Sequence, residues 1–362
     1  MGRHETVAVT DVQRQEGSDG GVDGTPPSRR SRRLRRALAA LGAGVLVVIL
    51  LVAGGAWYLT NRYAGNLDRV NAFVGLDDSQ RPPEPTAGSA GQAPLTFLVV
   101  GSDTRADVPA GETPDGRSDV MMLVRFAGDG RNAQVVSLPR DSWVSIPGNG
   151  MAKLNAAYAY GGPSLLVQSV ETLTGVRIDH YAAIDFQGFV EMTDALGGVD
   201  VQVAETTSNG PYTYDAGPNH LEGEEALYYV RQRYGLAGGD FDRVKRQQQY
   251  LRSMFAKVSE QHVLSDMGAL DNFLVSLTDA LAVDESLGNA GLLDLAYDLR
   301  ALRPDAVTFL TAPVAGTGRE GAQSVVYLDA ARAERLWGYL RTDSLGQHVA
   351  EFSIDALPEV PN

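Results

Sequence analysis

The sequence predicts an α/β protein: a three-layer αβα sandwich with a mixed central sheet, preceded by one transmembrane helix. Three observations predict it. From residue 94 onward, short apolar runs alternate with segments of helical spacing, the pattern of strands with helices on both faces of a sheet. The turn-forming stretch Ala127-Gly128-Asp129-Gly130 separates two of those runs and makes them antiparallel neighbours. Residues 37–59 form an uncharged, apolar stretch of 23 residues. As a helix it would be about 34 Å long, enough to cross a hydrocarbon core.

The elements follow in order. Residues 1–28 are rich in Gly, Asp, Ser and Pro without apolar periodicity, so residues 1–36 are expected to be a disordered cytoplasmic tail. It ends in a basic cluster of Arg29, Arg30, Arg32, Arg33, Arg35 and Arg36, which favours the cytoplasmic side, while Trp57 and Tyr58 suit the opposite interface. A cleaved signal peptide is the alternative, but its apolar region would be shorter, about 7–15 residues, and nearer the start. The reading is therefore a single-pass cell-membrane protein with its N-terminus in the cytoplasm and everything after residue 59 outside it. Residues 60–93, with Arg81-Pro82-Pro83-Glu84-Pro85 and a Gly/Ser/Ala run, are expected to be a linker. Residues 94–345 are expected to be the folded domain and 346–362 a C-terminal tail. Within the domain, 95–101, 119–126, 133–138 and 199–203 read as strands, and 164–173, 186–196 and 242–262 as helices. Further strands and helices fill 265–340, and no internal repeat is present.

Composition narrows the chemistry. The chain has 362 residues, no cysteine and a net charge of −14. Disulfides, thiolate zinc sites, iron–sulfur clusters and a cysteine nucleophile are excluded. The first 36 residues carry eight arginines against five acidic residues, so the rest is about −17, which argues against a nucleic-acid binder. Three lysines against 28 arginines, with abundant Ala and Gly, suggest a GC-rich bacterial genome. The five histidines show no ligand spacing, and His180 reads as structural. Gly316–Gly321 matches GxGxxG, but a strand-like SVVYL follows where a helix should open, so the motif reads as a hairpin.

Polar residues collect at the ends of the apolar strands: Asp103 and Arg105, then Arg117 and Asp119, then Arg140 and Asp141. If the first three strands form an antiparallel meander, all six reach one end of the sheet. Taken singly, each is also readable as a solvated loop charge in an ion pair. Far along the chain, Arg231 and Arg233 stand at i and i+2, pointing the same way in extended backbone. Asp242 is expected to cap the next helix, with Arg243, Arg246 and Gln247 near its N-terminus, where anions are favoured. Arginine forks with paired aspartates suit a phosphate ester with Mg²⁺, or Mn²⁺ in its place. Residues 181–196 and 95–100 are candidate walls of an apolar slot for a lipid. Outside the cytoplasm there is no ATP supply, so any group transfer must draw on an activated donor already in the membrane.

The segments GSDTR at 101–105, RSDVMML at 117–123, SLPRDSWVSIPG at 137–148 and KLNAAYAYGG at 153–162 resemble the LytR–CpsA–Psr family. So do DALGGVDV at 194–201, LEGEEALYYVRQR at 221–233 and DRVKRQQQYL at 242–251, in order across roughly 95–260. The resemblance implies a membrane-anchored, Mg²⁺-dependent phosphotransferase. Such an enzyme moves an anionic glycopolymer from a polyprenyl-diphosphate carrier to peptidoglycan, at the 6-OH of N-acetylmuramic acid. It implies Asp103 and Asp119 as metal ligands and Arg105, Arg117, Arg140, Arg231, Arg233, Arg243 and Gln247 around the pyrophosphate. Arg140 and Arg117 are expected to be catalytic, with Asp141 and Asp242 the candidates for the acceptor's proton. Val120 departs from the small residue usual after RSD, and the additional C-terminal domain of some actinobacterial relatives is not expected. Membrane lipid, the lipid-linked glycopolymer and peptidoglycan are the implied partners. A pyrophosphatase using water as acceptor, and a non-catalytic sensor of lipid-linked phosphates, use the same site and stand as alternatives.

Overall fold

A computed structural model describes residues 62, 67–86, 92–102, 118–259 and 267–361. The tail, the basic cluster and the expected span at 37–59 lie outside the described residues. Among the described residues no helix is long and apolar enough to cross a membrane.

In chain order the strands are β1 (Asp68–Val70), β2 (Leu95–Ser102), β3 (Ser118–Phe126), β4 (Ala133–Ser137), β5 (Trp143–Ile146), β6 (Gly150–Lys153), β7 (His180–Asp185), β8 (Val199–Val203), β9 (Thr207–Asn209), β10 (Tyr212–Tyr214), β11 (Gly217–Leu221), β12 (Leu281–Asp284), β13 (Val307–Thr311), β14 (Val314–Glu320) and β15 (Gln323–Leu328). The helices are α1 (Leu154–Thr174), α2 (Phe186–Ala195), α3 (Gly223–Arg231), α4 (Asp240–Val258), α5 (Met267–Ala280), α6 (Asn289–Asp298), α7 (Ala330–Arg341) and the short α8 (Leu345–His348).

Seven strands form one mixed sheet in the order β1-β12-β7-β2-β3-β4-β13. Its centre is the expected meander: β2 runs antiparallel to β3 and β3 to β4, while β7 and β13 join parallel at either side. Because successive side chains alternate across a strand, the sheet presents two apolar faces. Leu98, Val100, Met121, Leu123, Val136 and Leu310 pack with Leu166 and Val170 of α1 and Leu336 and Trp337 of α7. On the opposite face Phe97 and Val283 pack with Leu292 and Leu295 of α6, and Met122, Val135 and Phe309 with Leu251 of α4. Burial on both faces explains why these strands read as continuous apolar runs. A separate core joins α2, α3, α4 and α5 to β8 and β10 through Met192, Val201, Tyr214, Tyr229, Tyr250 and Phe273.

Several elements depart from expectation. The helix read at 164–173 begins at Leu154 and is broken at Gly161 and Gly162; Gly162 takes φ 63°, and Pro163 restarts the helix. Part of the stretch read as a linker is structural: Asp68–Val70 pairs with β12, and Arg81 bonds the buried Glu171 at 2.8 Å. The stretch read as a tail also belongs to the body, since Phe352 is buried in the main core and the Leu357 N–H donates to the Phe309 carbonyl at 3.1 Å. Three-residue strands and lone anchoring aromatics carry too little periodicity to show in a sequence. The GxGxxG segment forms the expected hairpin, with Gly318 opposite Val325.

Candidate active site

The end of β2, the start of β3 and the end of β4 share one end of the sheet, with Ser102 opposite Ser118 and Met122 opposite Ser137. Asp103, Arg105 and Arg117, expected there, lie outside the described residues. Asp119, the second residue of β3, is described. Past β4 the chain turns at Pro139–Ser142, and three backbone bonds hold that turn. The Ser142 N–H donates to the Pro139 carbonyl at 3.0 Å, the Asn155 N–H to the Arg140 carbonyl at 3.0 Å, and the Val326 N–H to the Asp141 carbonyl at 2.9 Å. From this clamped backbone the Arg140 guanidinium reaches the Asp119 carboxylate in a hydrogen-bonded ion pair. It also stands 3.9 Å from Asp141 and 4.0 Å from Asp240.

The second half of the chain supplies the rest. Asp240 opens α4 and forms ion pairs with three guanidiniums, Arg243 at 3.0 Å, Arg233 at 3.2 Å and Arg140 at 4.0 Å, of which Arg243 donates a hydrogen bond to its Oδ2 at 3.1 Å. Arg243 is almost fully buried, and burial draws its pKa below the guanidinium range, with Asp240 opposing. Sequence reasoning missed Asp240, which lies two residues before the start it gave the helix. The available signal was its spacing of three residues before Arg243, an i,i+3 pair on one helix face.

Arg231 and Arg233 diverge from the expected extended arrangement. Arg231 is the last residue of α3, and the backbone becomes extended only at Gln232. Arg231 lies over the Phe186 ring at 4.2 Å, while Arg233 turns toward Asp240. Asp242 is not the helix cap either. The helix begins two residues earlier because Gly239, at φ 56°, makes the turn, and a Cβ at Gly238 would fall 2.7 Å from the Asp242 carboxylate. Asp242 is buried, accepting the Gly238 N–H at 2.6 Å and pairing with Lys245 at 2.9 Å. Its oxygens are thus committed away from any acceptor. Gln247 donates to the Val230 carbonyl at 3.1 Å and lines the space that Asp119 and Arg231 also line. Arg246 is structural, bonded to Gln232 and Thr207 and stacked on Tyr229.

Two spaces border this cluster, one on the Arg140 side and one on the Asp119 side of their ion pair. One is a polar cavity of about 430 Å³ lined by Arg140, Asp141, Lys153, Asn155, Arg233 and Ser324. Lys153, which the sequence reading left out, pairs with Asp141 at 2.9 Å. The other is an apolar slot between the sheet and α2, α3 and α4, walled by Val99, Met122, Ile184, Phe189, Leu227 and Leu251, with Asp119 and Arg231 among its lining. Val99, Ile184, Phe186 and Phe189 come from the segments expected to form such walls, whereas Tyr181 points into the opposite core.

The donor groups fit an anion. Arg140 Nε and Arg243 Nε are buried without a hydrogen-bond partner, two N–H groups suited to phosphate oxygens. Five cations (Arg140, Lys153, Arg231, Arg233, Arg243) stand with four carboxylates (Asp119, Asp141, Asp185, Asp240), so the site is locally positive within an acidic chain. Among the described residues no group of three or more His, Asp or Glu could hold a metal alone. Mg²⁺ commonly binds one or two carboxylates plus substrate phosphate oxygens, and Asp119 suits that shared mode.

Comparison with known proteins accords with this geometry. The model of the LytR_cpsA_psr family matches residues 71–342. Cell wall biosynthesis protein LcpA of Corynebacterium glutamicum is 32% identical over 337 residues, covering 79% of this chain and 62% of LcpA. The polyisoprenyl-teichoic acid–peptidoglycan teichoic acid transferase TagU of Oceanobacillus iheyensis is 32% identical over 241 residues, 65% of this chain and 73% of TagU. The solved structure of TagT bound to LI-WTA has a TM-score of 0.57 at 26% identity, covering 75% of this chain and 98% of that one.

Proposed function

The chain belongs to the LytR–CpsA–Psr family, and from that premise we propose that it transfers an anionic glycopolymer phosphate from a polyprenyl-diphosphate carrier to peptidoglycan. The observation that carries this reading is the Asp119–Arg140 ion pair, whose carboxylate lines an apolar slot together with Arg231 and whose guanidinium lines a cationic cavity. Such a site matches an amphiphile whose diphosphate joins an isoprenoid to a sugar. The tail enters the slot, the diphosphate meets Arg140, Arg231, Arg233 and Arg243, and the glycan extends through the polar cavity. Arg105 and Arg117 are assigned to the same head group on family resemblance.

In the reaction, the 6-OH of N-acetylmuramic acid attacks the sugar-bearing phosphorus. A new C–O–P bond forms, the phosphoanhydride bond breaks, and polyprenyl monophosphate leaves. Fixed guanidiniums meet the charge that develops on the phosphoryl oxygens without reorganising. Asp141, partly exposed in the cavity and oriented by Lys153, receives the hydroxyl proton. Asp242, buried and paired, does not serve. Asp119, with Asp103 assigned on family resemblance, would hold Mg²⁺, which would supply neutralisation of phosphate charge. The domain works outside the cytoplasm on the span at 37–59.

The test incubates the full-length protein with polyprenyl-diphosphate oligosaccharide, Mg²⁺ and nascent peptidoglycan. Conjugate on the glycan is expected; free phosphorylated sugar alone would indicate hydrolysis, and binding without turnover a sensor. Arg140→Ala should lower turnover by about 10²–10³, the range for loss of one preorganised donor, with the fold retained. Wild-type turnover by that variant would remove Arg140 from the site.

A further inference from the structure

A second groove lies beyond the polar cavity and takes no part in the chemistry above. It has a volume of about 470 Å³ and is lined by Trp143, Met151, Thr172, Tyr327, Glu334 and Trp337. Strand register ties it to the active site. Across the β5–β6 hairpin Trp143 is opposite Lys153 and Ser145 opposite Met151, so these four side chains stand on one face. Lys153 lines the catalytic cavity, while Trp143, Ser145 and Met151 line the groove. The strand β15 borders both spaces as well, with Ser324 in the cavity and Tyr327, on the opposite face of the strand, in the groove. One continuous row of side chains therefore leads from the reacting centre into an aromatic trough.

The trough is built from flat faces. Trp337 is buried at 2% exposure and Met151 is 53% exposed, so the groove spans from core to solvent. A Cβ at Gly318 would fall 2.5 Å from the Tyr327 ring, so glycine is what lets that ring lie across the hairpin. The Tyr327 hydroxyl is held by Glu320 at 2.7 Å. This gives the glycine-rich hairpin a role that a phosphate-binding reading could not. Rigid aromatic faces offer large contact area at low entropic cost and suit the apolar faces of sugar rings, while the Ser145 and Thr172 hydroxyls and Glu334 suit ring hydroxyls and amides.

Charge selects the occupant. The lining contains no Lys or Arg, and its one charged residue, Glu334, is paired with Arg341. A polyanionic donor chain finds no cation here; an uncharged, N-acetylated glycan meets no penalty. We propose that this groove is a subsite for the acceptor's glycan strand, holding sugars flanking the one that presents its hydroxyl to the cavity. The inference rests on the transfer reading above and specifies where its acceptor lies.

The test uses the full-length protein with tetra-N-acetylchitotetraose as a neutral glycan probe and inorganic pyrophosphate as a head-group probe, both by calorimetry. Trp143→Ala should weaken chitotetraose at least tenfold and leave pyrophosphate affinity unchanged, while Trp143→Phe should retain glycan binding within about threefold. In the transfer assay Trp143→Ala should raise the acceptor KM with little change in kcat. If Trp143→Ala does not fold, Met151→Glu on the exposed rim carries the same expectation. Unchanged glycan affinity in Trp143→Ala and Tyr327→Ala, or a parallel loss of pyrophosphate affinity, overturns the proposal. Conjugate formation at an unaltered acceptor KM in these variants would sink the groove and leave transfer standing. Glycan binding that the variants abolish, in a wild type that forms no conjugate, would sink transfer and leave the groove standing.

Discussion

Asp240→Asn removes the one carboxylate that three guanidiniums share while keeping the side-chain shape. At 3.0 Å the Arg243–Asp240 attraction is about 5.5 kcal/mol at an effective dielectric near 20, and Arg140 at 4.0 Å adds about 4. Arg233 contributes little, since it is 43% exposed and screened by water. Desolvation offsets much of this gross attraction, and breaking a buried pair costs about 3–5 kcal/mol in practice because a charge is left uncompensated. We expect a loss of about 3 kcal/mol in urea denaturation. Pyrophosphate should then return part of that loss by supplying the missing negative charge. If the variant binds inorganic pyrophosphate tenfold more tightly, ligand at a fixed excess stabilises it by about 1.4 kcal/mol more than wild type. A loss below about 1 kcal/mol, or equal stabilisation of both proteins by pyrophosphate, would refute the view that Asp240 holds the guanidiniums together against their own repulsion.

Two further outcomes follow from the slot and from the sheet edge. Leu227→Asp places a charge in the apolar slot and should weaken polyprenyl monophosphate binding at least tenfold while sparing inorganic pyrophosphate; equal effects on both ligands would count against the slot. At Asp284, burial pushes the carboxyl pKa up, but hydrogen bonds from His180, Ser286 and the Tyr181 N–H outweigh it and hold the pKa below the usual range. The stability this provides is present in full above the ordinary carboxylate pKa of about 3.9 and is lost as pH falls through the lower folded value. Asp284→Asn should therefore flatten the acid limb of the stability profile, measured by urea midpoints from pH 6 to pH 2; an unchanged acid slope would show that the network contributes nothing.

The meander was legible because its strands are buried on both faces and its second turn has Gly and Asp where the geometry requires them. The meeting of Asp119 with Arg140 followed from that meander alone, since strand order determined which ends coincide. Asp240 was not legible. Whether a residue after Gly238-Gly239 starts a helix depends on a left-handed Gly239, and local composition alone reads as loop. Arg231 and Arg233 were brought to the site as expected, but along different routes, because α3 runs on through Arg231 and its fit against Phe186 is a tertiary contact. The β5–β6 hairpin passed unrecognised for a similar reason: each strand has only four residues, too short a run for its alternation to stand out in the sequence.

One helix links the two halves of the site. The first turns of α4 bring Asp240 and Arg243 to the charged cluster, and its next turns bring Gln247, Tyr250 and Leu251 to the slot. From Arg243 to Leu251 is eight residues, about 12 Å along the axis at 1.5 Å per residue. A helix is stiff over that length, so the distance between head-group and tail contacts is set by backbone geometry rather than by side-chain adjustment. The buried glutamines hold it in place: Gln248 donates to the Ser137 hydroxyl and the Leu310 carbonyl, and Gln249 to the Gln202 carbonyl. The first ties α4 to the main sheet and the second to the smaller core. Bonds to both bodies make α4 the element through which the sheet end carrying Arg140 and the unit carrying Arg231 keep a constant separation. A site that must grip a diphosphate at one end and an isoprenoid at the other depends on that constancy more than on any single ion pair.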